Sequence, residues 1–293
     1  MHVGKDSKWM QQLVFIGPAV LIFSLVIIAP FLLGLYYSMT DWNGVSPNVN
    51  WVWFDNFKKI FMEDTDFASS FWFTTKITVT IVILTNLLGF FIAYMLVQKL
   101  KTRNMLRSIF FMPNVLGGLL LGFIWQFIFV RGFTTLGAYS DFFLFKLAWL
   151  GTEATAFWGL VIVSVWQGTG YVMVIYIAGL SNVPEDLKEA AYVDGAKRRQ
   201  VLRHVILPMI MSSITVCLFW TINHTYKMYD LNYSLTNGGP FRSTESVSMN
   251  IFIEAFANNR YGLGTAKAFI FFVAVALITV VQVYLTKRRE IRM

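Results

Sequence analysis

Long apolar stretches alternate along the chain with short polar ones. Asp, Glu, Lys and Arg are absent from Trp9–Thr40, Ile77–Gln98, Ser108–Val130, Ala154–Pro184, His204–Tyr226 and Ala268–Thr286, the shortest of which has 19 residues. A helix needs about 20 mostly apolar residues to cross the hydrocarbon core of a bilayer. In that solvent every backbone N–H and C=O must be paired within the protein, which leaves only helices and closed barrels. Barrel strands run to about 10 residues and alternate apolar with polar. These stretches are longer and do not alternate. The pattern predicts an all-α membrane protein with six transmembrane helices, over residues 13–37, 77–98, 108–130, 156–180, 207–227 and 267–286. The first apolar part, Leu13–Tyr37, is too long for the core of a signal peptide, and no small-residue cleavage site follows it, so it reads as a retained first span. No Pro/Gly/Ser linker interrupts the pattern, and residues 1–293 read as a single transmembrane domain.

Composition sharpens this picture. Hydrophobic residues make up 56% of the chain and charged residues 14%, against about 25% charged in soluble domains. A disordered chain, a disulfide scaffold and an ordinary soluble enzyme are excluded. The single cysteine, Cys217, lies in an apolar run, so neither an intrachain disulfide nor a cysteine metal cluster can form. His2, His204 and His224 are too scattered to hold a metal. With the N-terminus inside, the inner segments carry 15 of the Lys and Arg residues and the outer segments 8. The inner cations include Lys5, Lys8, Lys99, Lys101, Arg103, Arg107, Arg288, Arg289 and Arg292. Cations concentrate on the cytoplasmic side of membrane proteins, so both termini are expected there.

The inner segment 181–207 does not read as a simple connection. Pro184 suits the start of a helix, and Glu185 and Asp186 suit its first turn. Leu187, Ala190, Ala191 and Tyr192 make a small apolar face, and Gly195 marks an end. By composition alone this is a solvated loop that obeys the charge rule. Its spacing is more specific. Glu189-Ala190-Ala191, then Gly195, then Val205-x-Leu207-Pro208, resembles the EAA motif of permease subunits of binding-protein-dependent ABC importers, E-A-A-x3-G-x9-I-x-L-P, with Val205 in place of Ile. Asp194-Gly195-Ala196, Leu235-Thr236-Asn237-Gly238-Gly239-Pro240 and Tyr261-Gly262-Leu263-Gly264-Thr265-Ala266 resemble the carbohydrate branch. Gly17-Pro18-Ala19 through Pro30, with Ser38-Met39-Thr40-Asp41, is similar to the maltose-transporter type, so the resemblance covers essentially the whole chain.

The resemblance implies a six-helix type I ABC importer transmembrane domain in the bacterial cell membrane. It implies that segment 181–207 is a coupling loop, with Glu189, Ala190, Ala191, Asp194 and Gly195 docking against a separate ATPase subunit. Small alanines permit close approach, and the Glu189 carboxylate offers a charge-assisted contact to a cation. The partners implied are a second permease subunit, with a paralogue favoured, two cytosolic ATPase subunits that bind ATP and Mg, and an extracytoplasmic sugar-binding protein. No nucleic acid is implied. The chain has no G-x-x-x-x-G-K-[ST] phosphate loop and no Ser-His-Asp grouping, so it reads as a non-enzymatic subunit with no cofactor of its own.

Polar groups inside a bilayer face a cavity or another helix. Ser164, Gln167 and Tyr171 recur at helical spacing in the fourth span, with Gly168 beside them; Thr221, His224, Thr225 and Met228 do so in the fifth. Hydroxyls, an amide and rings suit a sugar, which presents both hydrogen-bonding groups and C–H faces. The maltose-type resemblance places sugar contacts at Gln167, Gly168, Tyr171, Thr221, His224, Thr225 and Met228, of which only Gly168 and Tyr171 match that pattern in type. Such stripes also hold transmembrane helices together. Lys227 and Asp230 read as a local ion pair, and Trp125 and Gln126 as either path or packing. The expected function is translocation of an oligosaccharide or related sugar. A permease for a non-sugar solute is the nearest alternative, and a membrane-embedded glycosyl-transfer enzyme or a self-contained secondary transporter is further off.

Overall fold

The computed structural model describes residues 5–98 and 100–290, with side chains from residue 14 onward. Lys99 and Arg292 of the inner cations, and the side chains of Lys5 and Lys8, lie outside the described residues. Among the described residues regular structure is helical, with one isolated antiparallel bridge between Thr40 and Trp51. Among the described residues five helices are long and apolar enough to cross a bilayer: Val14–Ser38, Thr65–Leu96, Gly118–Tyr139, Glu153–Ser181 and Tyr261–Lys287. Arg198–Met209 and Met211–Tyr226, bent by 70° to each other, make a sixth if counted as one span.

Two expected spans are built differently. The helix expected over 108–130 is divided into Arg103–Val115 and Gly118–Tyr139, with Leu116 and Gly117 extended between them at ψ 131° and 142°. Pro113 lies in the last turn of the first piece, where it lacks the N–H that would bond back to the Ile109 carbonyl. The helix expected over 207–227 breaks at Ile210 (φ −94°, ψ 13°), so Pro208 belongs to a short helical turn before the bend rather than to the start of the long helix. The second and sixth helices start earlier than residues 77 and 267, at Thr65 and Tyr261. A charge-free run bounds only the apolar part of a helix, and these two carry Lys76 and Lys267 inside them.

The chain packs as two compact units. One comprises Met1–Asp64 and Ile251–Phe272. From Val14 to Tyr37 none of its side chains is buried, the pattern of a helix whose surroundings are apolar on every side. Tyr36, Tyr37, Trp42, Trp51 and Tyr261 cluster at the end of that helix, Tyr37 stacking on Trp42 with centroids 4.2 Å apart. Aromatic rings with polar tips suit the membrane–water boundary. Asn56 ties the turn below them by donating to the Ser38 and Thr40 carbonyls at 2.9 and 2.8 Å. Lys267, placed by sequence at the edge of a span, is fully buried. Its Nζ lies 2.7 Å from both Asp64 Oδ2 and Glu254 Oε2, and Arg260 approaches Glu254 at 3.6 Å.

The other unit comprises Thr65–Asn250 and Val273–Met293. Its centre is Thr65–Leu96 packed along Glu153–Ser181. The small residues Thr85, Gly89 and Ala93 of the first are all buried there, as close helix packing in a bilayer requires. Thr152 opens Glu153–Ser181 as a capping box with Thr155. Two apolar clusters form. One is built around Ile77, Leu121, Leu160 and Leu235, the other around Leu96, Met173, Val201 and Ile210. The connection after Asp230–Leu235 is held by Asn232, whose buried side chain donates to the Thr244 carbonyl and Thr236 Oγ1 and accepts from the Ser246 N–H, at 2.7, 3.0 and 3.0 Å.

Candidate functional site

The end of Met211–Tyr226 and the residues that follow it border a cavity of about 280 Å³. Its walls include Ile81 and Thr85 of the second span, Ser164, Gln167 and Gly168 of the fourth, and Trp220, Thr221, His224, Thr225 and Met228 of the fifth. Six of the seven residues expected to meet the substrate therefore share one cavity; Tyr171 does not line it. The Tyr171 ring instead stacks on Trp220.

Several of these side chains already have partners. Gln167 Nε2 donates to the Leu116 carbonyl, exposed by the break between the two halves of the third apolar stretch, at 3.0 Å. Thr221 Oγ1 donates to the Cys217 carbonyl at 2.6 Å and accepts from Asn86 Nδ2 at 3.3 Å, while Asn86 Oδ1 accepts from the Tyr176 hydroxyl at 2.9 Å. Ser164 Oγ faces the Met228 sulfur at 3.8 Å. By contrast, buried Thr85 Oγ1 on the cavity wall has no partner among the described residues, and a buried orphan hydroxyl is costly unless water or a ligand meets it. The expected pairing of Lys227 with Asp230 does not form. The helix ends at Lys227 and a new one starts at Asp230, so the two are not successive turns of one helix, and both line the cavity. Trp125 and Gln126 pack: Trp125 meets Phe129 and Trp166, and Gln126 donates to the Leu235 carbonyl at 3.4 Å. Thr85 and Trp220 were missed in the sequence. Thr78 and Thr85, seven residues apart in the second span, form the same kind of stripe that marks the fourth and fifth.

At another place in the same unit, segment 181–207 forms a helix over Glu185–Val193. Pro184 caps its start and Asp194 its end. The Gly195 N–H bonds to the Tyr192 carbonyl at 3.0 Å and the Ala196 N–H to the Ala191 carbonyl at 2.9 Å, the paired bonds of a Schellman ending. Gly195 has φ +82°, where a side chain is strained. Glu189 and Ala190 are exposed, as are Leu187 and Val193. Ala191 turns inward onto the apolar cluster, so the expected apolar face is split. Neither neighbouring cation takes Glu189: Lys188 pairs with Glu185 at 2.7 Å, and Arg198 Nε donates to the Tyr94 hydroxyl at 3.3 Å.

A polytopic helical membrane protein with a polar cavity among its spans and a capped helix standing off them has the architecture of a transport permease. Residues 85–291 match the family described as the binding-protein-dependent transport system inner membrane component, and the chain belongs to that family. It is 43% identical to a probable starch degradation products transport system permease protein of Thermoanaerobacterium thermosulfurigenes, over 99% of this chain and 97% of the relative. It is 32% identical to a multiple sugar-binding transport system permease protein of Streptococcus mutans, over 89% of this chain and 90% of the relative. Its fold is similar to a chain in the crystal structure of a bacterial alginate ABC transporter in complex with an alginate pentasaccharide-bound periplasmic protein, at TM-score 0.81 and 18% identity over 98% of each chain.

Proposed function

We propose that this chain is one transmembrane subunit of an ATP-driven importer for an oligosaccharide or related sugar. The observation that carries the reading is the cavity, where the orphan hydroxyl of Thr85 stands with Thr225, His224 and Trp220. Hydroxyl and imidazole groups exchange hydrogen bonds with a polyol, and flat rings cover its C–H faces. The two relatives, named for transport of starch degradation products and of multiple sugars, support the same substrate class. The Glu185–Val193 helix docks on a cytosolic ATPase subunit, with Glu189 facing a cation and Ala190 giving close approach. ATP and Mg are bound by two such ATPase chains. A second permease, a paralogue of this one, completes the path, and an extracytoplasmic binding protein delivers the sugar from the side opposite the termini. The test is uptake of radiolabelled malto-oligosaccharides by the complex reconstituted in liposomes. Thr85→Val and His224→Ala should each weaken apparent affinity by about 2- to 10-fold, the scale of one neutral hydrogen bond. No uptake of any sugar by the wild-type complex, with robust uptake of an amino acid or ion, would sink the reading.

A further inference from the structure

Trp220 is held by two other rings. Its indole lies 4.2 Å from the Tyr171 ring at 28° and 4.8 Å from the His224 imidazole at 9°. Offset stacking of this kind fixes a large ring in one position. Trp220 and His224 line the cavity, while Tyr171, stacked on Trp220, is not among its lining residues. The indole N–H has no hydrogen-bond partner among the described residues. The indole packs directly against Gly168: a Cβ there would meet Trp220 Cζ3 at 3.7 Å and Thr85 Cγ2 at 3.4 Å, ordinary van der Waals contact. A long aromatic wall that cannot swing aside accepts a solute whose rings match its contour and penalises one whose rings do not.

We propose that Trp220 sets which oligosaccharides pass, and that Tyr171 is a positioning residue that acts through it and touches no sugar. This rests on the oligosaccharide reading above. Trp220 supplies the fixed wall and an unshared N–H donor, and His224 supplies the exposed end of the stack. Tyr171 contributes its ring, not its hydroxyl. That assignment separates Tyr171 from the residues on the cavity wall, with which sequence spacing had grouped it.

The test uses the full importer complex in liposomes, with maltose, maltotriose, maltotetraose, cellobiose and diacetylchitobiose as probes. Trp220→Leu and Tyr171→Leu should shift the ratio of KM between probes in the same direction, by about 3- to 10-fold. Tyr171→Phe keeps the ring and should leave the series as in wild type. If Trp220→Leu fails to assemble, Trp220→Phe, which keeps a stacking ring but loses the N–H and half the wall, should still alter the series. An unchanged series in an assembled Trp220 variant overturns the proposal. So does a Tyr171→Phe complex that departs from wild type as far as Tyr171→Leu, because the hydroxyl is then a direct contact. Wild-type complex that imports none of the probes fails the oligosaccharide reading itself, a result distinct from an intact series in the variants.

Discussion

The side-chain amide of Gln167 donates to the Leu116 carbonyl across 3.0 Å. Leu116 stands where the third apolar stretch leaves its helix, so no following turn covers that carbonyl. Gln167 is therefore a cap on a break in another segment as well as part of the cavity wall. Gln167→Leu should lower the stability of the detergent-solubilised protein by about 1–3 kcal/mol, the cost of an unmet buried polar group. Its melting temperature should fall while the order of sugar preference stays. A shifted preference at unchanged melting temperature would return Gln167 to the substrate contacts alone.

Gly195 ends the Glu185–Val193 helix with φ +82°. Gly195→Asp should strain that ending by about 1 kcal/mol or more and re-aim the chain after it. Glu189→Lys inverts the exposed, unpaired charge without touching the fold. Both variants should reach the membrane and lose uptake, with ATPase subunits no longer retained on affinity purification. Normal uptake by either would remove the docking assignment.

Lys267 neutralises Asp64 and Glu254 in a buried site. Lys267→Met should cost about 3–5 kcal/mol, because two carboxylates lose their cation. Lys267→Met with Glu254→Leu should recover much of that loss, since the remaining Asp64 is partly exposed. Thermal denaturation of the two variants reads the difference. Equal melting temperatures in single and double variants would show that the ion cluster contributes little.

Acid should loosen the connection after Asp230–Leu235. Burial pushes the Glu245 carboxyl up, but hydrogen bonds from Arg242 and Asn250, the Arg242 charge and a hydrogen bond from Ser70 outweigh it and hold the group below the ordinary 4.5. Arg242 grips it at 2.6 and 2.9 Å and reaches Asp66 at 2.5 Å. A carboxyl depressed in the folded state contributes stability above its unfolded value, and the contribution is lost as pH falls through the folded one. Limited proteolysis near the exposed Phe241 should be slow at pH 7 and speed up below about pH 4.5. Glu245→Gln should remove that dependence.

The expected topology is tested with a cysteine placed at Asn50 in a Cys217→Ala background. An impermeant thiol reagent should label it from outside the cell. Labelling from the inside only would invert the chain and place the Glu185–Val193 helix on the wrong side for an ATPase.

The helices of this protein were legible because charge is expensive in hydrocarbon, and the charge-free runs lie within or across them. Their interruptions were not. Hydropathy is the same on either side of Leu116, and the break is signalled by Pro113 and the Gly117-Gly118 pair. Pro208 was visible, but whether a proline opens a helix or precedes a bend depends on packing around Ile210. Spacing brought Gln167, Gly168, Thr221, His224, Thr225 and Met228 to one cavity because three- and four-residue steps share a helix face. It could not separate Tyr171 from them, since a side chain's stacking on another ring is a tertiary fact. Trp220 escaped notice because a search for polar stripes passes over an indole. Gly195 and its neighbours were the most legible part, because a left-handed helix ending leaves a glycine in the sequence.

The buried lysine also bears on how the chain is made. A lysine inside a membrane helix opposes insertion, by up to about 3.5 kcal/mol at the helix centre and by less toward an end, where Lys267 lies within Tyr261–Lys287. Glu254 precedes Lys267 by only 13 residues, so the two leave the ribosome nearly together. The last span is thus expected to meet the translocon with its cation already matched, while Asp64, synthesised far earlier, receives the completed pair. Biogenesis of this subunit then ends with an electrostatic closure, and a chain interrupted before residue 267 leaves Asp64 and Glu254 without the lysine that neutralises them.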